Sequence, residues 1–519
     1  MSFGKTVNLG NSIIGVSILA MPYCFVQSGL ILSVLLIILS GFLTRLSCHF
    51  LLKSAFISRR RSFELMVQDV LGSTGRLMVE IGLIGFLLGT CVAYFIMIGD
   101  LAPKVIAELF DFKYNRHLRI VSTLILSLFV ALPLSLLRRV DSLTSFSLLS
   151  MILYSCLILK LMFETTDRMM DGKVAADKFD KISYWNISGL LTTFPIFSMA
   201  MSCQTSLFEI FDSAATVSDL EAIKRDNGII RKAIYMCSFV YITVGLLGYM
   251  AFHEQTLYGN ILLAFPPSLT TTLTKIGFIV TLLMSFPLCL FPCRTSVHSL
   301  TAGRAKKHSN FQPVPTSASA DTLIPIANDD NNCGFTTTAK ESDCDDDSNN
   351  NNKGQNGRSI NQNHTSSITA TNRIFTNHMK PSSASSNSHS YTSLLEYEDD
   401  SSPRHISASQ STSNIVDIHS PSRLYISDFK FRLLTVLLIS VTVVLSLMFP
   451  NIEFILGIIG STAGTTVCFV LPAFTFIKIG EHTRTELLLA RLLLLIGLAM
   501  LIFCSYSTLH SASLNITTN

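Results

Sequence analysis

Charged side chains are scarce in this 519-residue chain. Asp, Glu, Lys and Arg make up 14% of it, against about a quarter of an ordinary soluble domain. The formal net charge of +4 is too small to indicate a nucleic-acid-binding surface, so no nucleic-acid partner is expected. The 12 Cys include no CxxC pair and no Cys/His cluster with zinc spacing. These absences exclude a soluble globular enzyme, a disulfide scaffold and a zinc site.

The motifs of several membrane-protein classes are also missing. The sequence has no GxxxxGK[ST] motif for an ATP-driven pump, no HExxH motif and no TVGYG filter. No ladder of Arg residues marks a voltage sensor. Secondary transport is the class that remains, with no enzyme activity and no cofactor expected.

Long uncharged stretches dominate what is present, because hydrophobic residues make up 49% of the chain. A transmembrane helix needs about 20 mostly apolar residues. An open sheet cannot satisfy its backbone hydrogen bonds in lipid, so we expect an all-α polytopic membrane protein with eleven transmembrane helices. The predicted spans are 6–44 (two spans), 81–99, 120–137, 142–159, 182–208, 233–252, 276–293, 433–452, 454–477 and 492–519.

The spans divide the chain into four parts. Residues 1–294 hold spans one to eight, 429–510 hold spans nine to eleven, and 511–519 form a short tail. The segment 295–428 is rich in Ser, Asn, Thr and Asp, which predicts a disordered loop that could bind a cytoplasmic partner.

Lys and Arg are more frequent in the predicted loops on the side of the N-terminus, which predicts a cytoplasmic N-terminus. The sequons at Asn186 and Asn515 then lie on the opposite side, where they are candidate glycosylation sites. Whether the membrane is the plasma membrane or an endomembrane stays open.

The first span is unusually polar for a helix in lipid, reading VNLGNSIIGVSILAMP over 7–22. One interpretation is a packing face of small residues. The other is a helix interrupted at Gly15, Val16 and Ser17, where freed N–H groups could hold a carboxylate and freed carbonyls a cation.

The sixth span has a matching anomaly in TTFPIFSMAMSCQT over 192–205. A Pro-kinked helix is one explanation, since Pro195 removes a helix hydrogen bond. A second interruption is the other. Breaks in spans one and six would begin the two halves of a five-plus-five inverted repeat, with one extra helix.

The eighth span offers hydroxyl groups at Thr281 and Ser285. Together with Asn11 and backbone carbonyls, they are candidate sodium ligands, although each could instead bond the carbonyl four residues earlier. We expect no buried carboxylate near the middle of the membrane, which favours sodium over proton coupling.

Several segments resemble the sodium-coupled neutral amino acid transporters of the amino acid/auxin permease superfamily. Residues 11–19 (NSIIGVSIL) resemble the NxIxGxxIL stretch of that family's first helix, and 285–294 (SFPLCLFPCR) resemble its eighth. Residues 248–252 and 450–462 resemble the end of the seventh and the start of the tenth. The runs 89–100 and 132–136 are closest to the branch called sodium-coupled neutral amino acid transporter 10.

The resemblance implies a LeuT-like fold and symport of sodium with small neutral L-amino acids such as glutamine and alanine. It implies that Asn11 and the hydroxyl of Ser285 bind sodium. The residues implied at the substrate are Ser12, Gly15, Val16, Ser17, Ala200, Met201 and Ser202. Two alternatives stay open: a proton-coupled transporter of an organelle membrane, and a non-transporting amino-acid sensor that acts through its loop.

Overall fold

The structure is a computed structural model that describes residues 2–60, 62–111, 113–137, 146–170, 183–211, 220–252, 259–309 and 427–517. The described residues form helices and turns without a strand, so the predicted all-α fold is confirmed. They all belong to one unit, residues 1–313 and 421–519. Most of the predicted loop lies in a second unit, Val314–Ser420, outside the described residues.

Thirteen helices, labelled in chain order, make up the described part of this unit. Short 3₁₀ helices at Val16–Ala20, Ile187–Gly189 and Ile261–Leu263 join some of them. The helices are α1 (Ser2–Ile14), α2 (Met21–Ser28), α3 (Leu30–Ser58), α4 (Phe63–Phe110), α5 (Arg116–Ser135), α6 (Phe146–Met170), α7 (Leu190–Ala200), α8 (Gln204–Ile210), α9 (Leu220–Phe252), α10 (Leu269–Ser309), α11 (Asp428–Met448), α12 (Ile452–Ile479) and α13 (Arg484–Ser511).

Nine helices in the described ranges are long and apolar enough to cross a membrane, or ten if the bent pair α1 and α2 counts as one span. The predicted count of eleven is therefore not confirmed. The predicted sixth span consists of α7 and α8, and even the 11 residues of α7 rise only about 16 Å. That length is about half of a 30 Å hydrocarbon core, so neither helix crosses alone.

The eighth span extends further than the sequence predicts. Helix α10 runs to Ser309, so the predicted start of the loop at 295 falls inside a helix. Polar residues of this extension have partners on α4: the hydroxyl of Ser299 donates to the carboxylate of Glu80 and accepts from Arg76, both at 2.8 Å. These bonds to α4 stabilise the helical extension.

Helix α9 packs along both halves of the broken first span. An added Cβ at Gly248 would lie 2.4 Å from the ring of Pro22, and one at Gly245 would lie 2.3 Å from the ring of Phe25. A Cβ at Gly10 of α1 would lie 2.3 Å from Met236 of α9. The small residues bring α9 close enough to hold α1 and α2 in place on either side of the break.

Helix α12 lies between α4 and α7. A Cβ at Gly460 would lie 2.3 Å from the carbonyl oxygen of Pro195, so α12 and α7 touch almost backbone to backbone. On the α4 side, three glycines face larger residues of α12, which an added Cβ would contact. The pairs are Gly82 with Val467, Gly85 with Ala463 and Gly89 with Ile459.

Candidate functional site

The first span is interrupted where the sequence predicts. Helix α1 ends at Ile14, and Gly15 takes φ 40° and ψ −142°, a conformation that side chains rarely adopt. The 3₁₀ helix Val16–Ala20 follows, and the two halves of the span are bent by 50°. The interruption predicted at Gly15 is confirmed, and small-residue packing alone does not describe this span.

The sixth span is interrupted as well. Helix α7 ends at Ala200, and α8 begins at Gln204. The side-chain oxygen of Gln204 accepts a 2.9 Å hydrogen bond from the backbone N–H of Cys203, which satisfies one donor freed by the break. Pro195 lies inside α7 rather than at the break, so a proline kink does not explain the interruption.

The halves of the two broken spans pack against each other. Between α1 and α8, the hydroxyl oxygens of Ser12 and Ser206 are 2.7 Å apart. Between α2 and the start of α7, a Cβ at Gly189 would lie 2.1 Å from the carbonyl oxygen of Gln27. The two breaks therefore lie side by side, as expected for the first helices of an inverted repeat.

A cavity of about 360 Å³ begins at the breaks and follows α1 and α8 toward the start of the chain. Helices α4 and α10 complete its walls. Its volume lies in the range of small-molecule sites, roughly 300–1,000 Å³. The predicted site residues that line it are Asn11, Ser12, Gly15, Val16, Ser17, Ser202 and Ser285.

Three predicted site residues do not line this cavity, and their roles stay predictions. The hydroxyl of Thr281 donates to the carbonyl of Gly277 in its own helix at 3.0 Å. Ala200 is fully buried, and its carbonyl accepts from a tyrosine of α9. Met201 is also buried, and its Cε lies 3.1 Å from the Cβ position of Gly41 on α3. These three residues stand behind the cavity wall.

The two main candidate sodium ligands line the same cavity from different helices. Asn11 belongs to α1 and Ser285 to α10, and both are partly buried. Within the ranges that the structure describes, the Ser285 hydroxyl makes no hydrogen bond to another residue, so it is available to a ligand. Both side chains offer the oxygen atoms that a hard monovalent cation prefers.

Two charged residues of the cavity escaped the sequence analysis. Glu209 of α8 lines the cavity and is exposed, and it forms no hydrogen bond or ion pair with another described residue. Lys5 of α1 lines the same end, with its amine 5.8 Å from the ring centre of Phe211. The available signal was position: Glu209 is the first charged residue after the uncharged stretch 182–208.

Asn186, a predicted glycosylation site, caps the 3₁₀ helix Ile187–Gly189. Its side-chain nitrogen donates to the carbonyl of Gln27 at 2.9 Å, and its oxygen accepts from the N–H of Ser188 at 3.2 Å. Glycosylation would replace one of the two hydrogens on the nitrogen that makes the first of these bonds, and it stays a prediction. The side chain of Asn515 lies outside the described residues.

A bundle of membrane-length helices with a solute-sized cavity at two helix breaks is the arrangement of a secondary transporter. The chain belongs to the family described as transmembrane amino acid transporter protein, whose family model matches residues 3–513. This match confirms the resemblance to the amino acid/auxin permease superfamily, and the described helices are those of a multi-pass membrane protein.

Curated relatives agree with the family. The human solute carrier family 38 member 10 is 33% identical over 311 residues, which cover 60% of this chain and only 27% of that protein. The chain thus spans about a quarter of that relative's length. The vacuolar amino acid transporter 6 of Saccharomyces cerevisiae is 28% identical over 326 residues, covering 60% of this chain and 68% of the relative.

Among solved structures, the nucleobase-cation-symport-1 family transporter MHP1 is similar with a TM-score of 0.44 and 13% identity. The similarity covers 59% of this chain and 67% of MHP1.

Proposed function

We propose that the chain is a symporter that couples sodium to small neutral L-amino acids, such as glutamine and alanine, by alternating access. One observation carries the proposal: Asn11 and Ser285 line a single cavity that ends at both helix breaks. An oxygen-bearing side chain from each of two helices, beside freed backbone groups, is a suitable environment for a cation and a zwitterion.

The substrate would lie between the halves of the two broken spans. Its carboxylate would accept hydrogen bonds from backbone N–H groups after Gly15, at the positive end of the half-helix that begins there. Sodium would bind the side chains of Asn11 and Ser285 together with carbonyl oxygens. By binding one conformation better than the other, sodium would favour the state that accepts substrate, with a coupling free energy of about 1–3 kcal/mol.

The cavity suggests which side of the membrane the site faces in this structure. It extends from the breaks to Lys5, whereas Ile18, Leu19 and Ala20, which follow the first break, are fully buried. With the N-terminus in the cytoplasm, as we propose, this is an inward-facing state. The substrate would reach the outside when the buried side beyond the breaks opens and the cavity closes at its Lys5 end.

The experiment is uptake of radiolabelled amino acids into proteoliposomes with an inward sodium gradient, compared with a choline gradient. Asn11→Ala should weaken the apparent sodium affinity roughly tenfold to a hundredfold, because a ligand to a charged group is lost. The control is Asn115→Ala, since Asn115 is exposed and its side chain does not cap α5. Wild-type sodium affinity in Asn11→Ala would refute the assignment.

A second candidate is proton coupling in an organelle membrane, and the cavity carboxylate of Glu209 favours it. A carboxylate with no ion-pair partner in the described ranges can take up and release a proton as the cavity changes sides. The yeast relative is a vacuolar amino acid transporter by name, which supports an endomembrane location for this chain too. Uptake driven by a proton gradient without sodium would select this candidate.

A further inference from the structure

Tyr241 of α9 stands at the point where the two broken spans meet. Its side chain is fully buried, and its hydroxyl oxygen lies 2.9 Å from the carbonyl oxygen of Ile13 and 3.0 Å from that of Ile14. The carbonyl oxygen of Ala200 is also 3.0 Å away. One side chain therefore touches the last carbonyls of α1 and the last carbonyl of α7.

These carbonyls belong to helix ends, where the backbone lacks its usual donors from the next turn. A buried carbonyl that loses its partner is costly, so each of the three needs a donor. A phenol has a single hydrogen, which can make one good hydrogen bond at a time or be shared. The hydroxyl can thus donate to a carbonyl of α1 or of α7 without a movement of the ring.

We propose that Tyr241 is a positioning residue that joins the two breaks through this shared hydrogen. When α1 shifts relative to α9, the hydroxyl can transfer its hydrogen bond from the carbonyl of Ile13 or Ile14 to that of Ala200. A movement of one break therefore changes the hydrogen bonding of the other. Helix α9 supplies the fixed point, because its close packing on α2 at Gly245 and Gly248 leaves the ring little freedom. The inference depends on the broken-helix site and not on sodium coupling.

The first test needs no substrate. Hydrogen exchange measured by mass spectrometry should be faster in Tyr241→Phe than in wild type at both break segments, residues 10–20 and 195–206. The control is Tyr154→Phe, because Tyr154 is also buried, packs against Phe278 and, among the described residues, makes no hydrogen bond to either break. Faster exchange at only one segment, or at neither, would overturn the proposal.

The second test separates positioning from stability. For whichever amino acid and ion gradient drive wild-type uptake, Tyr241→Phe should raise KM about fivefold to twentyfold, as expected for loss of one buried hydrogen bond, and change kcat less than twofold. Its Tm should stay close to that of Tyr154→Phe. An unchanged KM, or a KM change that Tyr154→Phe reproduces, would contradict the proposed role.

If Tyr241→Phe does not accumulate, the wild-type protein still tests the idea. Two segments joined by one hydroxyl should open together, so their exchange should respond to added denaturant with the same slope. Different slopes for residues 10–20 and 195–206 would mean that the breaks open independently and would overturn the proposal.

Discussion

Single residues at the breaks determine the local conformation and the polarity of the cavity. Gly15 holds a positive φ that other residues tolerate poorly, and Ser17, Ser202 and Ser285 place hydroxyl groups around the space that the break opens. Glu209 differs from these residues, because it brings a full negative charge into the cavity. Its neighbours set the charge around it: Lys5 lines the same cavity, and the carboxylate of Glu64 on α4 is close enough to repel it.

Glu209→Gln tests whether this carboxylate carries a coupled proton. Glutamine has the shape of a protonated glutamate and cannot release the proton, so uptake by the variant should lose its response to a pH gradient. The measurement is proteoliposome uptake across a series of internal and external pH values. Glu481→Gln, which changes an exposed carboxylate between α12 and α13, should keep the wild-type pH profile. A wild-type profile in Glu209→Gln would remove proton coupling through this residue.

Among the elements, α12 depends most on small residues. It fits between α4 and α7 because glycines on α4 and on α12 itself allow close approach. Its wider π-helical turns at Gly460–Gly464 and Thr466–Val470 lie in this same contact zone. The tenth span is thus shaped by its neighbours more than by its own propensity.

Gly460→Ala should destabilise this contact. The added methyl would meet the backbone carbonyl of Pro195, which cannot move without shifting α7, and overpacking of this kind costs about 1–3 kcal/mol. The purified protein in detergent should show a lower Tm. Gly228→Ala is the matched control, because a Cβ at Gly228 of α9 meets nothing within 4 Å, and alanine favours a helix. Equal Tm values for the two variants would contradict the packing argument.

At the scale of the whole molecule, the chain divides into two units, and residues 314–420 form the second. All the described helices and the cavity belong to residues 1–313 and 421–519. If the chain is a transporter, only this unit should be needed for uptake. The sensor hypothesis instead requires the segment between α10 and α11 to pass the signal to a partner.

Replacing 314–420 by a short flexible linker should therefore leave uptake into proteoliposomes within about twofold of wild type, because the length of a connection contributes only weakly to the free energy of folding. A linker of the same composition with scrambled order, at the original length, controls for connection length. Loss of uptake by both replacements, with normal insertion, would show that the segment takes part in transport.

Much of the membrane fold follows from the sequence, since helices in lipid must be long and uncharged. Polar residues within them are costly and usually mark a functional site. The polarity of residues 8–17 indicated a broken helix, and the structure confirms the break at Gly15. The break in the sixth span was one of two interpretations of residues 192–205, and Pro195 lies inside α7 rather than at the break. The number of spans could not be predicted as well, because a hydrophobicity count does not distinguish two short half-helices from one continuous helix.

The sequence by itself determined that this chain is a helical membrane protein with interrupted first and sixth spans, because apolar length and local backbone chemistry are properties of contiguous residues. Only the tertiary structure decided which residues share the cavity. It includes Ser285 and Glu209, excludes Thr281, and brings the hydroxyl of Tyr241 to three carbonyls from segments far apart in the chain. Such meetings depend on how helices pack and rotate, and packing is a property of the whole bundle.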